Sequence, residues 1–349
     1  MRRFRTLSVA LLALAMTAGP ALATTLKLAT LAPKRSAWGK LFEHMAAELG
    51  ERTGNQLAVD IFDSGVQGDE KEVVEKMKSG QLQMAAITVV GLAKIVPDTI
   101  VFQLPGLYDS PAELDRVRTA LAPQIEASME AAGFILLGWG DVGPLYIFSN
   151  TPVVAPDDLK KTKFWTWTDD PVGPAVARLA GTAGVPLGVP SVTSALANGK
   201  VDAYLTSPLA GVSLRWYNRS SHINPWPAAM GIGAVVMAKP AYDALPADQQ
   251  KALREVAAKW STILTKKVRQ DNTKTLELMA GKAYDGVKVS DAGLLSVGAR
   301  KPGVDKPIIT PVPADAQAKW RAIFVKVQDE LAGKVYSQKL LDQVRGLVK

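Results

Sequence analysis

The residues with the clearest chemical potential form one short aromatic segment. Trp165 and Trp167 are two positions apart, with Phe164 and Thr166 beside them. If this segment is a strand, both indoles lie on one face of a sheet and the other two side chains lie on the opposite face. An indole offers a large apolar surface, a ring face that attracts cations, and a single N–H donor. The segment is therefore predicted to line a cleft for an apolar, aromatic or cationic molecule.

Catalytic groups are sparse in the rest of the chain. The two histidines, His44 and His222, lie far apart, and the sequence contains no cysteine. Disulfides, thiolate catalysis and sulfur-ligated metals are thereby excluded, and no metalloprotease or phosphate-loop motif is present. The acidic pairs at 157–158 and 169–170 are candidates for acid–base chemistry, but helix N-caps explain such pairs more simply. We predict that the protein is not an enzyme and uses no cofactor and no metal.

The first residues have the pattern of an export signal. Three arginines within the first five residues precede a short apolar run at 7–16, and Ala21 and Ala23 form a small-x-small cleavage site. Residues 1–23 are therefore predicted to be a cleavable signal peptide, with an uncleaved N-terminal anchor as the alternative. The mature protein is expected in the periplasm.

Size and charge narrow the class of protein further. A chain of 349 residues is large for one hydrophobic core and typical of two domains. The formal net charge of +8 includes the three arginines of the signal, and the remaining basic residues are interleaved with acids. Because no basic stripe with aromatic spacing results, nucleic acid is not a predicted partner.

Apolar periodicity predicts alternating strands and helices in the first half of the chain. Residues 25–29, 57–62 and 84–90 have strand patterns, and residues 38–52 and 70–78 have helical spacing between them. This βαβ order predicts a parallel sheet and an α/β fold. A helix at 112–131, a strand at 134–139 and a mixed stretch through 146–149 are predicted to follow.

The same alternation returns in the block at 152–229. Strands are predicted near 163–166, 185–187 and 203–205, separated by helices. Residues 247–279 then have an almost uninterrupted helical pattern with apolar residues on one face. A helix of this length is expected to brace both halves of the molecule.

Several short motifs share their order and spacing with one protein family. They are Ala32-Pro33 with Ser36, Glu51-Arg52-Thr53-Gly54, Ser64 to Glu70 with Glu72, Asp158-Leu159-Lys160, and Asn198 to Ala203. With them the chain resembles the solute-binding subunits of tripartite ATP-independent periplasmic (TRAP) transporters, the DctP-like family. The resemblance implies a two-lobed periplasmic solute-binding fold that closes on a small-molecule ligand and delivers it to a TRAP-type membrane permease.

The resemblance also implies a division of the chain. Residues 24–150, together with 231–245 and part of 285–349, are expected to form lobe I. Residues 151–230 are expected to form lobe II, and residues 246–282 the long helix that spans both lobes.

The chain departs from the family pattern at its ligand-binding positions. Trp165 stands where the family has an arginine that grips the substrate carboxylate, and Leu145 stands where a second arginine is common. Ser207 replaces a family asparagine. Because tryptophan carries no charge to pair with a carboxylate, the resemblance implies a variant receptor for a solute that is apolar or aromatic in part.

The residues predicted to contact the ligand are aromatic or polar, and the resemblance places them at or near the ligand cleft. They are Trp165 as the pocket floor, Trp167 and Phe164 as supporting aromatics, Tyr204 and Ser207 as polar orienting groups, Glu72 as a wall residue, and Tyr146 and Trp139 near the cleft or its rim.

Four alternatives remain open, one of which is a periplasmic enzyme on a binding-protein scaffold with Asp141 or Asp169 in its chemistry. A displaced basic residue, Arg215, Arg219 or Lys163, would restore carboxylate binding. A choline-like cation would instead need a counter-charge, for which the candidates are Glu72, Asp141 and Asp169. The same fold would also serve a protein that presents its ligand to a sensor or to a lipid-trafficking partner.

Overall fold

The computed structural model describes residues 23–348, so the predicted signal peptide lies outside the described residues except for Ala23. The strands are β1 (Thr24–Thr30), β2 (Leu57–Phe62), β3 (Met84–Thr88), β4 (Phe134–Ser149), β5 (Trp165–Trp167), β6 (Val185–Leu187), β7 (Ala203–Thr206), β8 (His222–Ile223), β9 (Ala229–Ala238), β10 (Lys288–Val289), β11 (Leu295–Ser296) and β12 (Ile308–Ile309).

The helices are α1 (Ala37–Arg52), α2 (Glu70–Lys78), α3 (Val89–Leu92), α4 (Pro111–Ala131), α5 (Val172–Leu179), α6 (Val189–Ala197), α7 (Pro208–Ser213), α8 (Lys239–Asp243), α9 (Ala247–Gly281), α10 (Ala314–Leu331) and α11 (Gln338–Leu347). Among residues 23–348, no helix is both long enough and apolar enough to cross a membrane.

One mixed sheet organises the fold. Its strand order is β12-β8-β4-β9-β3-β1-β2, and β7 also pairs with β4. Strand β1 pairs in parallel with β2 and β3, as the βαβ pattern predicted, whereas β9 runs antiparallel to both β3 and β4. Strands β5 and β6 form a separate parallel pair. The predicted α/β class is therefore confirmed.

Strand β4 differs from the sequence-based expectation. The pattern predicted a strand at 134–139 followed by an irregular stretch, but residues 134–149 form one strand. Its first part pairs with β9, and its last residues, Tyr146 to Ser149, pair with β7. Register shifts at Leu136/Gly138 and Asp141/Gly143 disturb the alternation of side chains, which is why periodicity alone did not reveal the strand.

Helix α9 is 35 residues long and agrees closely with its predicted range. It contains no proline and no glycine before its last residue, so nothing interrupts its backbone hydrogen bonds. Leu253 and Val256 pack in an apolar cluster with residues of α1, whereas Leu276 and Met279 pack in a second cluster with Tyr146. The helix therefore contacts two separate parts of the apolar core.

Two glycines allow β4 to lie directly against α9. A Cβ on Gly138 would lie 2.1 Å from Ser261 Oγ, and one on Gly143 would lie 2.2 Å from Asn272 Nδ2. Asn272 is buried and donates to the carbonyl of Val142, while its Oδ1 accepts from the backbone N–H of Leu209 on α7. One side chain thus joins three elements.

A buried group of ions connects β4 with α4 and α9. The carboxylate of Asp141 is 1% exposed and accepts from Arg118 Nη1 at 2.9 Å and from Arg269 Nε at 2.5 Å. Asp115 accepts from both arginines as well. Because each charge has an opposite charge at hydrogen-bond distance, the cost of burying Asp141 is offset.

Glu70 is a second buried carboxylate, at the start of α2. It accepts hydrogen bonds from the backbone N–H and hydroxyl of Thr88 and from the N–H of Gly91, each at 2.7 Å. Burial is the largest influence on this group and raises its pKa from 4.5 to about 7. The native protein therefore retains this proton over a pH range in which the unfolded chain has lost it.

We expect Asp141→Asn to lower the free energy of unfolding by about 3 kcal/mol, because two partly buried guanidinium groups lose their fully buried charged partner. Urea denaturation monitored by circular dichroism measures this change. The control is Asp271→Asn on α9, which removes a partly exposed pair with Lys267 and is expected to cost less than about 1 kcal/mol. Equal effects of the two variants would show that the ion group around Asp141 does not stabilise the fold.

We expect Glu70 to make the protein less stable as the pH rises from about 4.5 to about 7, since the native state binds this proton more tightly than the unfolded state. Above that range its contribution no longer changes. The variant Glu70→Gln should show a smaller loss of stability between pH 5 and pH 8 than the parent protein, measured by urea denaturation. Glu72→Gln, an exposed neighbour on α2, should retain the parent's pH dependence.

Candidate functional site

A cavity of about 250 Å³ lies where β4, β5 and β9 meet several helices. Its lining includes members of all four clusters of buried apolar side chains, for example Ile87, Leu264, Trp165 and Leu159. A cavity bordered by every apolar cluster is a candidate ligand site, because such sites are concave and mostly apolar with a few placed polar groups.

Trp165 and Trp167 lie side by side at this cavity. Their ring centroids are 6.1 Å apart with an angle of 30° between the ring planes, as the two-residue spacing predicted. The N–H of Trp165 donates to the carbonyl of Leu187 at 2.9 Å, and that of Trp167 donates to Asp69 Oδ2 at 2.8 Å. Because both donors are already used within the protein, these indoles can offer a ligand only their apolar surfaces.

Phe164 and Trp139 also border the cavity. Phe164 precedes β5 and packs in the cluster that contains Leu159 and Phe324. Trp139 lies on β4 with its ring edge-to-face against Phe102, at a centroid distance of 5.2 Å. Four of the eight residues predicted to contact the ligand are thus brought together, although their contact with a ligand stays a prediction.

The structure does not bring the other four predicted residues to the cavity. Tyr204 is fully buried, stacks on Phe148 and shares a hydrogen bond with Ser220. Tyr146 is fully buried and donates its hydroxyl to the carbonyl of Gly293. These two side chains pack in the apolar cluster that also contains Trp165 and Trp216, and Tyr204 lies edge-to-face against Trp216.

Ser207 and Glu72 have local roles instead. The hydroxyl of Ser207 accepts from the N–H of Ala210 and caps α7. Glu72 lies on the exposed side of the first turn of α2, where a carboxylate complements the helix dipole. Neither residue borders the cavity.

The ionisable residues at the cavity are all acidic. Of the described residues that border it, Glu70, Asp141 and Asp170 have carboxyl groups, and none is a lysine or an arginine. Asp170 accepts from the backbone N–H groups of Val172 and Gly173, which is the capping role predicted for this acidic pair. Burial raises the pKa of Asp170.

The three basic residues considered as substitutes for the family arginine lie away from the cavity. Arg215 and Arg219 are exposed around a short turn, and Arg215 has a positive φ of 63°. Lys163 is exposed and donates to the carbonyl of Gly199 at 2.7 Å. In this structure, therefore, none of them supplies a cation to the cavity.

Asp69 is an important residue that the sequence reasoning did not identify as functional. It caps α2, and its Oδ2 accepts both from Trp167 and from the backbone N–H of Val189 at 3.0 Å. A Cβ on Gly188 would lie 2.7 Å from the same oxygen. The carboxylate of Asp69, at the start of α2, thus binds both β5 and α6 beside the cavity. The motif Gly68-Asp69-Glu70 was a signal for this role, but nothing in it identified the partners.

Three further tryptophans reach the cavity from other parts of the chain. Trp216, which follows α7, donates to Thr193 Oγ1 at 3.0 Å. Trp38 on α1 donates to the carbonyl of Asp141, and Trp320 on α10 donates to the carbonyl of Val154. No local pattern distinguishes them from ordinary core residues, because their elements approach the cavity only through tertiary packing.

Comparison with known proteins places the chain in a family. A family model described as bacterial extracellular solute-binding protein, family 7 (DctP), matches residues 28–294. The C4-dicarboxylate-binding periplasmic protein DctP of Rhodobacter capsulatus is 24% identical over 291 residues, which cover 82% of this chain and 80% of that protein.

Solved structures agree on the fold. A Bordetella pertussis extracytoplasmic solute receptor that binds pyroglutamic acid, DctP7, has a TM-score of 0.79 at 20% identity and covers 93% of this chain and 100% of its own. The sugar acid binding protein DctPAm of Advenella mimigardefordensis, in complex with galactonate, has a TM-score of 0.81 at 17% identity and covers 94% and 98%. Since the family model matches most of its length, this chain belongs to family 7 of the bacterial extracellular solute-binding proteins, the DctP family of TRAP receptors.

Proposed function

We propose that this TRAP receptor captures a small molecule that is apolar or aromatic in part, and that it delivers this molecule to a TRAP-type membrane permease. One observation carries the proposal. The described lining of the cavity contains six tryptophans and no lysine or arginine. Such a lining favours apolar surface and gives a carboxylate no partner.

Electrostatics argues against an anionic solute in this cavity. A buried carboxylate without an opposite charge costs several kcal/mol, and a bidentate arginine is the usual remedy. Here the ionisable lining residues are Glu70, Asp141 and Asp170, so the described lining supplies no positive charge to pair with an anion. The Bordetella and Advenella receptors bind pyroglutamic acid and galactonate, both of which are acids. This chain is proposed to differ from them because Trp165 stands at the position of the family arginine.

A cationic solute is also poorly supported. Asp141 is neutralised by two arginines, and Asp169 lies 3.7 Å from Lys71 and 3.6 Å from Lys94. These carboxylates, which the sequence suggested as counter-charges, therefore already have partners. A neutral, largely apolar molecule is the class that the lining favours.

Delivery to a permease follows from the family rather than from the cavity. The rival function, presentation of the ligand to a sensor or a lipid-trafficking partner, uses the same pocket. Adjacent permease genes would support transport, and an adjacent kinase gene would support sensing.

We expect Trp165→Ala to reduce the amount of co-purifying ligand at least about tenfold, because the cavity loses one of its largest apolar walls. The protein is purified from its native cells, and native mass spectrometry is compared with a denaturing extract. The control is Trp260→Ala, an indole of α9 that bonds to Glu48 and does not border the cavity.

An apolar or aromatic molecule present in the parent and in Trp260→Ala, but depleted in Trp165→Ala, is the expected result. A small carboxylate retained equally by all three proteins would contradict the proposed ligand class. Thermal unfolding of each variant ensures that the comparison is made on folded protein.

A further inference from the structure

We infer that the indole N–H of Trp139 is the hydrogen-bond donor that orients the ligand, and that the ligand is an uncharged, mainly apolar molecule carrying an oxygen acceptor such as a ketone, ester or ether. This inference rests on the proposed function and narrows its substrate class. It starts from one polar atom that the fold leaves without a partner.

Among the described residues, three buried side-chain polar atoms have no hydrogen-bond partner in the protein: Trp139 Nε1, His222 Nδ1 and Gln249 Oε1. Of these three residues, only Trp139 borders the cavity. Buried polar groups in folded proteins are almost always hydrogen-bonded, because an unbonded one carries the full cost of its desolvation. An acceptor on a ligand in the cavity would remove that cost.

The other tryptophans of the cavity provide an internal comparison. Six tryptophans border it, and the N–H groups of five donate to acceptors within the protein. These five bonds are Trp38 to Asp141 O at 3.1 Å, Trp165 to Leu187 O at 2.9 Å, Trp167 to Asp69 Oδ2 at 2.8 Å, Trp216 to Thr193 Oγ1 at 3.0 Å, and Trp320 to Val154 O at 2.8 Å. The fold therefore satisfies every cavity indole except Trp139, whose buried N–H has no acceptor among the described residues. Trp139 borders both this cavity and a second pocket, which is lined by Arg118 and Arg269.

The position of Trp139 is well determined by its surroundings. It lies in the middle of β4, opposite Ala234 of β9, and its ring packs edge-to-face on Phe102. The preceding residue, Gly138, brings the strand against Ser261 of α9. A donor on a paired strand whose ring packs against a buried aromatic residue is held in direction, which is what an orienting group in a binding site requires.

Because the indole N–H is a hydrogen-bond donor, it discriminates among classes of ligand. An indole N–H donates and cannot accept, so it has nothing to offer an ammonium group. An anionic acceptor would bond to it but would find no lysine or arginine in the described lining to balance its charge. A pure hydrocarbon would leave the donor unbonded. A neutral oxygen acceptor on an apolar body satisfies all three conditions.

The test uses two probes of nearly the same shape, 2-acetylnaphthalene and 2-ethylnaphthalene, which differ by a carbonyl in place of a methylene group. Displacement of the fluorescent dye N-phenyl-1-naphthylamine from the mature protein by each probe is measured, and it gives the affinity of the protein for that probe. We expect Trp139→Phe to weaken binding of the ketone about fivefold to tenfold more than binding of the hydrocarbon, since only the ketone loses a hydrogen bond.

The matched control is Trp165→Phe, which removes an N–H that already donates to Leu187. It should change the affinities of both probes by the same factor. If Trp139→Phe also changes both by the same factor, the inferred donor role is overturned while the apolar pocket stands. If neither probe displaces the dye from the parent protein, both the proposed function and this inference fail.

A second measurement uses only the parent protein and therefore does not depend on ligand binding by a Trp139 variant. In ¹⁵N-resolved spectra of the parent protein, the indole N–H signal of Trp139 should shift downfield with 2-acetylnaphthalene and much less with 2-ethylnaphthalene. The N–H signals of Trp165 and Trp167 should respond alike to the two probes. Equal responses at Trp139 would overturn the inference.

Discussion

The close contact between β4 and α9 is the constraint on which the rest of the structure depends. Glycine at 138 and 143 removes the side chains that would separate strand from helix, and Asn272 bonds across the contact. The ions around Asp141 then attach α4 to the same place. Strand β4 pairs with β9 along its first part and with β7 at its end. The contact with α9 therefore sets the position of the cavity wall that β4 forms.

The cavity lacks positive charge among its described lining residues, and the acidic groups near it are bonded within the protein. The family resemblance implies an arginine at the position of Trp165. The described lining of the cavity contains no lysine or arginine. The acidic groups nearby are bonded to internal donors: Asp69 to Trp167 and Val189, and Glu70 to Thr88 and Gly91. The polar atoms of the site thus stabilise the protein itself and leave mainly apolar surface for a ligand.

Local patterns predicted the elements that repeat a simple period. The βαβ order, helix α9 and the pairing of Trp165 with Trp167 all follow from spacings of 3.6 or 2 residues, which sequence displays directly. Phe164 also borders the cavity, although the two-residue period placed it on the opposite face from the indoles, so its position depends on tertiary packing. Strand β4 was predicted too short because its register shifts break the period that marks a strand.

The sequence by itself determined the α/β class, the long helix, the absence of cysteine and the presence of two closely spaced indoles at Trp165 and Trp167. Tertiary structure alone decided which aromatic rings share a cavity. Trp38 and Trp320 border it and Tyr204 does not, although all three are large apolar-bodied residues within ordered elements. It also decided that the N–H of Trp139 has no protein acceptor. The physical reason is that such contacts join residues far apart in the chain, so they depend on how whole elements pack and leave no trace in local spacing.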